Sequence, residues 1–383
     1  MGRRITFFLA VQFLLFGHLR AQDLESVIKQ GEGGSFVEKL FGLADRTVDL
    51  FSTDQWTFIP ALTYSPETSL GIGARAVRIF RTGSDSLSVA NRPSSLPLTF
   101  LYTLNHQVIL TGELELWMNQ NKSFFNGRME FSDYPFQFSG IGNAVFEAES
   151  YASRYFYVHV YYEKEVARGI YLGPRYEFRT DDLYQKVPGG LLDAGTIPGS
   201  NGQRLSGLGL AVTLDRRDAI FQPARGGYHQ LSWMKFHSVL GSNFDFTQWV
   251  FDFRKYWPMR NDQVFVGQAM VSLTQGEVPF QHLSMMGGSD LMRGYFEGRY
   301  RDRHAMVYQA EWRFPVYRNL RMVAFGSAGQ IGRNAGDFGL NRNMRLGAGI
   351  GFRYRLNEEG LQLRIDLAYG DRPAFYFGLN EVI

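Results

Sequence analysis

From Thr57 onward, apolar and polar residues alternate along the chain with a period of two. In 361–369 the odd positions are apolar, and Gln362, Arg364 and Asp366 lie between them. In 344–356 the even positions are apolar, and the odd positions are arginine or glycine. Alternation over about nine to thirteen residues is longer than an ordinary strand and matches a tilted strand that crosses a membrane. One face of such a strand meets lipid and the other meets water.

Runs of this kind, separated by turn residues, predict an all-β fold, a transmembrane antiparallel β-barrel of about 16 strands. The sheet must close on itself, because every backbone polar group inside hydrocarbon has to be paired. The run 244–255 changes phase between Phe246 and Trp249, which predicts a β-bulge. The predicted strands cover 57–63, 69–81, 96–106, 107–118, 124–133, 151–164, 169–180, 204–216, 227–238, 243–257, 262–274, 304–316, 318–329, 342–356, 360–370 and 373–381.

The connections between these strands differ in length at the two ends of the predicted barrel. If the chain starts in the periplasm, most long connections are outside and most short ones are inside, which is the asymmetry of outer-membrane barrels. One long connection, 80–95, falls inside against this trend. The outside set includes 132–149, 181–203, 275–303 and 332–341, and the inside set includes 117–123, 256–262, 317–319 and 357–360.

The first 21 residues have the pattern of a signal peptide. Arg3 and Arg4 precede an apolar stretch, Ile5–Phe16, and Ala21 offers a small residue at a cleavage point. Leu19 fits the cleavage pattern less well than alanine would. The alternative is a membrane helix, but the apolar stretch is too short to span a bilayer. We therefore predict export, with the mature chain in the outer membrane of a Gram-negative-type bacterium.

Residues 22–55 do not alternate with a period of two. Phe36, Leu40, Val48 and other apolar residues recur at helical spacing, which predicts one short amphipathic helix. This N-terminal helical segment would be a cap over the periplasmic mouth or a plug in the lumen, and binding of a partner is the alternative. The remaining residues, 56–383, form the predicted barrel.

Composition supports the barrel and gives no indication of a disulfide-stabilised or nucleic-acid-binding protein. Phe, Tyr and Trp make up 15% of the chain and there are 42 glycines. Barrels use aromatic residues at both membrane interfaces and small residues where strands bend or approach closely. The chain has no cysteine, so an exported form would depend on closure of the sheet and not on disulfides. A net charge of +3, with both signs interspersed, gives no indication of nucleic-acid binding.

A glycine-rich motif lies between the eleventh and twelfth predicted strands. It reads Gly287-Gly288-Ser289-Asp290-Leu291-Met292-Arg293-Gly294-Tyr295 and resembles the GGxxxxRG[FY] loop of the BamA/TamA-like bacterial surface antigen superfamily. Three further pieces resemble the same superfamily, in the same order along the chain. These are a turn with Asp215, Arg217, Asp218, Pro223 and Gly226; the strand Glu311-Trp312-Arg313-Phe314-Pro315; and Arg364, Asp366, Ala368 and Gly370 near the end.

The resemblance implies a loop that folds from the outside back into the lumen. An arginine on such a loop, Arg293, would need carboxylates to pair with its planar fork of N–H groups. Glu311 and Asp366 both fall on lumen-facing positions of the alternation, so we predict them as its partners. The alternative is that all three are ordinary charges of a polar barrel interior.

Three features depart from the superfamily pattern. The chain leaves no room for the periplasmic POTRA repeats that usually receive client chains. Ser327 stands where the superfamily has an aspartate in an FxDxG strand, and Ile383 stands in place of a terminal phenylalanine. These departures put the usual recruitment route in doubt and weaken the usual assembly signal.

The resemblance implies a barrel that inserts or translocates other proteins through its lumen or through a lateral seam. The seam would lie between the first strand and the last, with Ala61 and Phe377 as candidate neighbours across it. Its partners would be outer-membrane lipid, unfolded or exported client proteins, and periplasmic or lipoprotein factors. The alternative is a pore for small solutes.

No catalytic, metal or cofactor site is predicted. The seven histidines, at 18, 106, 159, 229, 237, 282 and 304, are scattered, and neither GxSxG nor HExxH occurs. With no cysteine and no paired histidines, a structural metal site is not expected. We therefore do not expect an enzyme.

Overall fold

The alternating residues form a closed antiparallel barrel of sixteen strands, as the sequence predicts. A computed structural model describes residues 56–83, 92–144, 146–339, 343–355, 362–379 and 381–383. The predicted signal peptide, 1–21, and helical segment, 22–55, lie outside these described residues. The barrel strands are β1 (Thr57–Ser65), β2 (Ser69–Phe80), β3 (Ser94–Thr103), β4 (Val108–Met118), β5 (Ser123–Phe138), β6 (Glu149–Ala167), β7 (Ile170–Gln185), β8 (Gln203–Asp215), β9 (Gly226–Phe236), β10 (Phe246–Pro258), β11 (Val264–Gly276), β14 (His304–Tyr317), β15 (Leu320–Gly332), β16 (Arg345–Arg355), β17 (Gln362–Tyr369) and β18 (Pro373–Leu379).

Two short strands lie between β11 and β14. They are β12 (Ser284–Met286) and β13 (Tyr300–Asp302), which form a separate two-stranded sheet. The connection that carries them, residues 277–303, is called the lumen loop below.

The period of two in the sequence separates the two faces of the barrel wall. In β17, Asp366 is fully buried in the lumen, whereas Leu367 next to it is 47% exposed on the outer face. In β16, Arg353 is buried and Leu346 is exposed on the outer face. An apolar outer face and a polar inner face are what a strand between lipid and an aqueous lumen requires.

The β-bulge predicted in 244–255 is wrong. β10 pairs with β9 and with β11 in one uninterrupted register. Phe246 causes the apparent change of phase because it is a lumen-facing aromatic residue: it stacks on Phe236 with ring centroids 4.4 Å apart. Phe253, on the other phase, is exposed on the outer face. Register shifts occur in other strand pairs, between Pro315 and Tyr317, Ala152 and Ser153, and Glu165 and Ala167.

The connections differ in length between the two ends of the barrel. Long ones (139–148, 186–202, 277–303 and 333–344) lie at one end, the loop end. Short ones (119–122, 168–169, 259–263 and 318–319) lie at the other, the turn end, which also holds the longer connection 81–93. Within the described part of the chain, no helix has the length and apolar character needed to cross a membrane.

Candidate functional site: the lumen loop and its arginine anchor

The lumen loop enters the barrel from the loop end and is held at its base by apolar contacts. Phe280 is fully buried, and it packs against residues of the wall and of the other long loops. Its ring lies 5.1 Å from that of Phe138, measured between centroids. Just after it, the ring of His282 packs against the stacked rings of Phe236 and Phe246, and burial lowers the pKa of His282 to about 3.

The tip of the loop spans the lumen. On one side Phe296 contacts Phe136 of β5, with ring centroids 5.3 Å apart. On the other side Arg293 contacts Glu311 of β14. In the closed order of sixteen strands, β5 and β14 are almost opposite each other. The loop is therefore a partition across the barrel and not a flap along one wall.

Gly294 allows the tip to approach the wall closely. Its φ of +100° lies in the left-handed region, and a Cβ there would come within 2.7 Å of the backbone of Tyr369 and Gly370. The amide of Gly294 donates a hydrogen bond to the Tyr376 hydroxyl at 3.0 Å. Only glycine combines this backbone conformation with this approach.

The other glycines of the motif, Gly287 and Gly288, also have positive φ, of +106° and +98°. Their amides donate to the carbonyls of Leu291 and Tyr295, which closes the turn at the tip. The Tyr295 hydroxyl donates to the carbonyl of Leu346 at 2.9 Å. The residues of the motif thus shape the tip and attach it to β16.

Arg293 makes two ion pairs at the centre of the site. Its Nη2 lies 2.6 Å from Glu311 Oε1, and its Nη1 lies 2.7 Å from Asp366 Oδ2. The arginine side chain is 1% exposed and both carboxylates are fully buried. The guanidinium also lies over the Phe325 ring, 3.5 Å from its centroid. Charged hydrogen bonds in a desolvated setting, with a cation–π contact, make this a specific docking point.

Two further arginines, which the sequence analysis did not single out as partners, complete the charge pattern. Arg313 donates to Glu311 Oε2 at 2.7 Å, and Arg353 donates to Asp366 Oδ1 at 2.6 Å. Each carboxylate is therefore shared between Arg293 and a wall arginine, and Asp366 also lies 3.8 Å from the Nε of Arg364. The signal was present in the alternation, because both residues fall on lumen-facing positions of β14 and β16.

Ser327, in place of the superfamily aspartate, forms a weaker contact. Its hydroxyl lies 3.4 Å from the carbonyl of Gly347. The same strand supplies Phe325, whose ring covers Arg293. In this chain the second carboxylate beside Arg293 comes from Asp366 of β17.

The predicted turn motif forms the connection between β8 and β9 at the turn end, away from Arg293. Asp215 accepts from Arg217 at 2.9 Å and from Arg92 at 2.5 Å. Burial alone would lower the pKa of Arg217, but its contact with Asp215 raises that pKa above its ordinary value. Asp218 caps the turn by accepting from the amides of Ala219, Ala224 and Arg225.

Gly226 ends this turn with a φ of +99°, and a Cβ there would lie 1.9 Å from the Arg216 carbonyl oxygen. Pro223 faces a cavity of about 440 Å³ at the turn end of the lumen. The turn motif is therefore a structural closure of the barrel rim and the floor of this cavity. Among the described residues, no group of three or more histidines and carboxylates is placed to hold a metal ion.

The join between the first and last strands differs from the rest of the wall. β1 pairs with β2 along all of Thr57–Ser65. Toward β18, its described residues form a single register pair, Tyr64 with Phe377. The rings of Tyr64 and Phe375 also touch, with centroids 5.4 Å apart. We call this join the seam.

The seam register corrects one expectation. Ala61 was expected beside Phe377, but Tyr64 stands opposite that residue. The offset arises because barrel closure staggers the strands, and the stagger across the join cannot be counted from strand ends alone.

Comparison with known families gives one match. The sequence model of the Omp85 superfamily domain matches residues 101–381 of the chain. A search among curated proteins finds no significant match.

Solved structures with the same fold include three barrels of low sequence identity. BamA from Haemophilus ducreyi lacking POTRA domains 1–3 is 14% identical, with a TM-score of 0.56 over 86% of this chain and 70% of that one. CdiB from Acinetobacter baumannii is 12% identical, with a TM-score of 0.55 over 86% of this chain and 60% of that one. CdiB from Escherichia coli is 10% identical, with a TM-score of 0.56 over 94% of this chain and 74% of that one.

Proposed function

Because the chain belongs to the Omp85 superfamily, we propose that it is an outer-membrane barrel that inserts or translocates client proteins. The route would be the lumen or, as we favour, the lateral seam. The sequence resemblance to the BamA/TamA-like superfamily, made from the loop, turn and strand motifs, is thereby confirmed at the level of the superfamily. The client and the route belong to the proposal.

The observation that carries the proposal is the seam. Among the described residues, β1 is paired along its whole length with β2 but only at Tyr64 with β18. Parting this join breaks few backbone hydrogen bonds, whereas parting any fully paired neighbours would break a whole ladder. An exposed strand edge is also a template to which an extended segment of another protein adds. The seam is therefore the place where a client strand would enter the sheet.

The lumen loop supports this route over an open pore. It crosses the lumen between Phe136 and Glu311 and is fixed there by buried ion pairs. A passage for small solutes would need this partition to move. In our proposal the loop stays docked and keeps the lumen closed while the seam handles the client.

The proposed partners follow from the same geometry. Exposed aromatic and aliphatic residues on the outer face, such as Trp233, Trp312 and Leu346, would face outer-membrane lipid. Client proteins would present an extended strand to β1. Periplasmic or lipoprotein factors would deliver them. The proposed role requires no covalent chemistry, and we infer that the protein is not an enzyme.

The proposal is tested by deleting the gene and comparing the outer-membrane proteins of the parent strain and the deletion strain by mass spectrometry. We expect a defined set of surface proteins to be depleted, and expression of the intact chain to restore it. As a matched control, uptake of small hydrophilic solutes is measured in the same strains. Unchanged outer-membrane proteins together with reduced solute uptake would contradict the proposal and favour the pore.

A further inference from the structure

The segment that follows β18 leaves the wall and turns into the lumen. Ile383 is 4% exposed and packs against Tyr256, Val264 and Val266. Its carbonyl accepts a hydrogen bond from Arg313 Nη2 at 2.8 Å. Residues 381–383 are called the tail below. They are bound to the inside of the barrel by apolar and polar contacts at once.

Where the structure describes the chain, positions 58–60 of β1 have no register partner in β18. Counting on from the Tyr64–Phe377 pair, a straight continuation of β18 would bring Glu381 opposite position 60 and Ile383 opposite Phe58. The tail lies in the lumen instead. The two placements exclude each other, so whatever holds the tail inward also keeps the edge of β1 at 58–60 free.

Glu381 provides the charged contact that holds the tail. Its Oε2 lies 2.9 Å from Arg353 Nε and 3.8 Å from Arg313 Nε. These are the two wall arginines that also bind the carboxylates of the loop anchor. Arg353 bonds Asp366 and Arg313 bonds Glu311, at 2.6 Å and 2.7 Å.

Together these contacts close a ring of alternating charges. Its six members, in order around the ring, are Arg293, Glu311, Arg313, Glu381, Arg353 and Asp366. Three cations and three anions make up the ring, and every member is nine-tenths or more buried. Arg364 lies beside the ring, with its Nε 3.8 Å from Asp366 Oδ2, and also pairs with the exposed Asp290. A buried ring of this kind is stable only when complete, since removing one member leaves an uncompensated charge in a desolvated place. Arg293 brings the lumen loop into the ring, and Glu381 brings the tail.

We propose that Glu381 is a positioning residue that keeps the edge of β1 free for an incoming strand and couples that edge to the docking of the lumen loop. This inference rests on the proposed role of the seam. When the ring is intact, the tail is held in the lumen and the edge is open. When Glu381 or Arg293 is lost, the charges of the ring no longer balance and the tail is released. The released tail then pairs with β1 as a continuation of β18.

A disulfide reporter tests the inference without any client. Phe58→Cys and Ile383→Cys would lie opposite each other only if the tail joined β1. In this background, Glu381→Gln should raise the disulfide yield under mild oxidation about fivefold, and Glu381→Asp should give an intermediate yield because the charge is kept on a shorter side chain. Resistance of the unheated barrel to SDS verifies folding of each variant.

Coupling to the loop is tested in the same background. Arg293→Gln should also raise the yield, although no direct contact joins Arg293 to the tail. Glu381→Gln leaves a surplus positive charge in the ring, and Arg293→Gln leaves a surplus negative one. The increase in disulfide yield in the double variant should therefore be smaller, by about threefold or more, than the product of the increases in the two single variants. The matched control is Arg299→Gln. This residue is on the same loop, but its 32% exposed side chain pairs with Asp371, and neither residue is a member of the ring, so the yield should not change.

Equal disulfide yields with Glu381 and with Gln at position 381 would overturn the positioning role. A raised yield in Glu381→Gln, with none in Arg293→Gln, would overturn the coupling. Both outcomes are separate from the proposed function, because the reporter measures only where the tail lies. A failure to find any client would leave these yields unaffected.

Discussion

At the scale of single residues, the burial of Arg293 determines how much the loop anchor contributes. The sequence places this residue in a polar lumen, where water would moderate the loss of an ion pair. The structure gives an arginine and two carboxylates that are almost completely shielded from solvent. Removing one member of a buried ion pair costs about 3–5 kcal/mol.

We expect Arg293→Ala to weaken docking of the lumen loop by about 3 kcal/mol, at the lower end of that range. In this variant Glu311 still pairs with Arg313, and Asp366 still pairs with Arg353. Each carboxylate therefore keeps one arginine partner. Arg293→Lys should recover only part of the loss, because an ammonium cannot bridge two carboxylates with a planar fork. Limited proteolysis of 277–303 from the outer surface measures docking.

The matched control for this variant is Arg299→Ala. Arg299 lies on the same loop and pairs with Asp371, but its side chain is 32% exposed. A pair of this kind contributes no more than about 1 kcal/mol. Equal protease sensitivity of the Arg293→Ala and Arg299→Ala variants would mean that the buried ion pairs do not hold the loop.

A second prediction at this scale concerns Gly294. Gly294→Ala adds a Cβ within 2.7 Å of the β17 end of the wall at a φ of +100°, so the tip must move away. We expect the loop to become as protease-sensitive as in Arg293→Ala, while the barrel still folds. Gly336→Ala is the control, since a Cβ at that glycine meets nothing within 4 Å. A protected loop in Gly294→Ala would show that the close approach is not required.

The residues of the anchor were predictable only so far as the alternation of polar and apolar residues tells which side chains of a strand face the lumen. Glu311 and Asp366 were named because each is an acidic residue on a lumen-facing position, and the loop motif supplied Arg293. Arg353 falls on one of the polar positions of 344–356, but the sequence does not predict it as part of the site, because alternation gives the face of a strand and not the height along the barrel. Glu381 is the last residue of the predicted strand 373–381, whereas β18 ends at Leu379, and no local pattern indicates that the chain turns inward there.

At the scale of elements, the base of the lumen loop carries a pH-sensitive group. His282 has a pKa lowered to about 3 by burial and by nearby Arg179, with Asp181 acting in the opposite direction. Its ring also faces Glu177 at 3.6 Å. A group whose pKa is depressed on folding contributes stability above its unfolded value of about 6.5, and that stability is lost as the pH falls toward 3.

We therefore expect docking of the loop base to weaken progressively between pH 6.5 and pH 4. Hydrogen exchange of 277–303, followed by mass spectrometry across this range, measures the effect. His282→Phe keeps an aromatic ring against the stacked Phe236 and Phe246 and removes the titrating group, so exchange of the loop should depend less on pH. The same pH dependence in His282→Phe would assign the effect to the surrounding carboxylates.

Strands were the elements that the sequence predicted best. Each has one face toward lipid and one toward the lumen, and this imposes a period of two on its residues. The bulge in β10 was wrong for a physical reason. Phe246 faces other aromatic residues inside the loop end, where the lumen is filled by apolar packing and the rule of a polar inner face fails. The short strands β12 and β13 were not predicted, since they are buried by the rest of the barrel and need no alternation of their own.

At the scale of the whole molecule, closure of the sheet predicts resistance to unfolding. In the part of the chain that the structure describes, every join except the seam is extensively paired. We expect the protein extracted from membranes to migrate faster on SDS gels when unheated than after boiling, because the closed barrel stays compact. Identical migration before and after heating would contradict a closed barrel.

The central claim is that the seam opens to handle a client. Tyr64→Cys and Phe377→Cys place two thiols at the register pair that, among the described residues, joins β1 to β18, and oxidation would lock the join. Matched cysteines at Thr99→Cys and Thr111→Cys, a register pair between β3 and β4, lock a join that is not expected to part. We predict that the oxidised seam variant folds but fails to restore the client proteins lost in the deletion strain, whereas its reduced form and the oxidised control both restore them. Full restoration by the oxidised seam variant would contradict lateral opening.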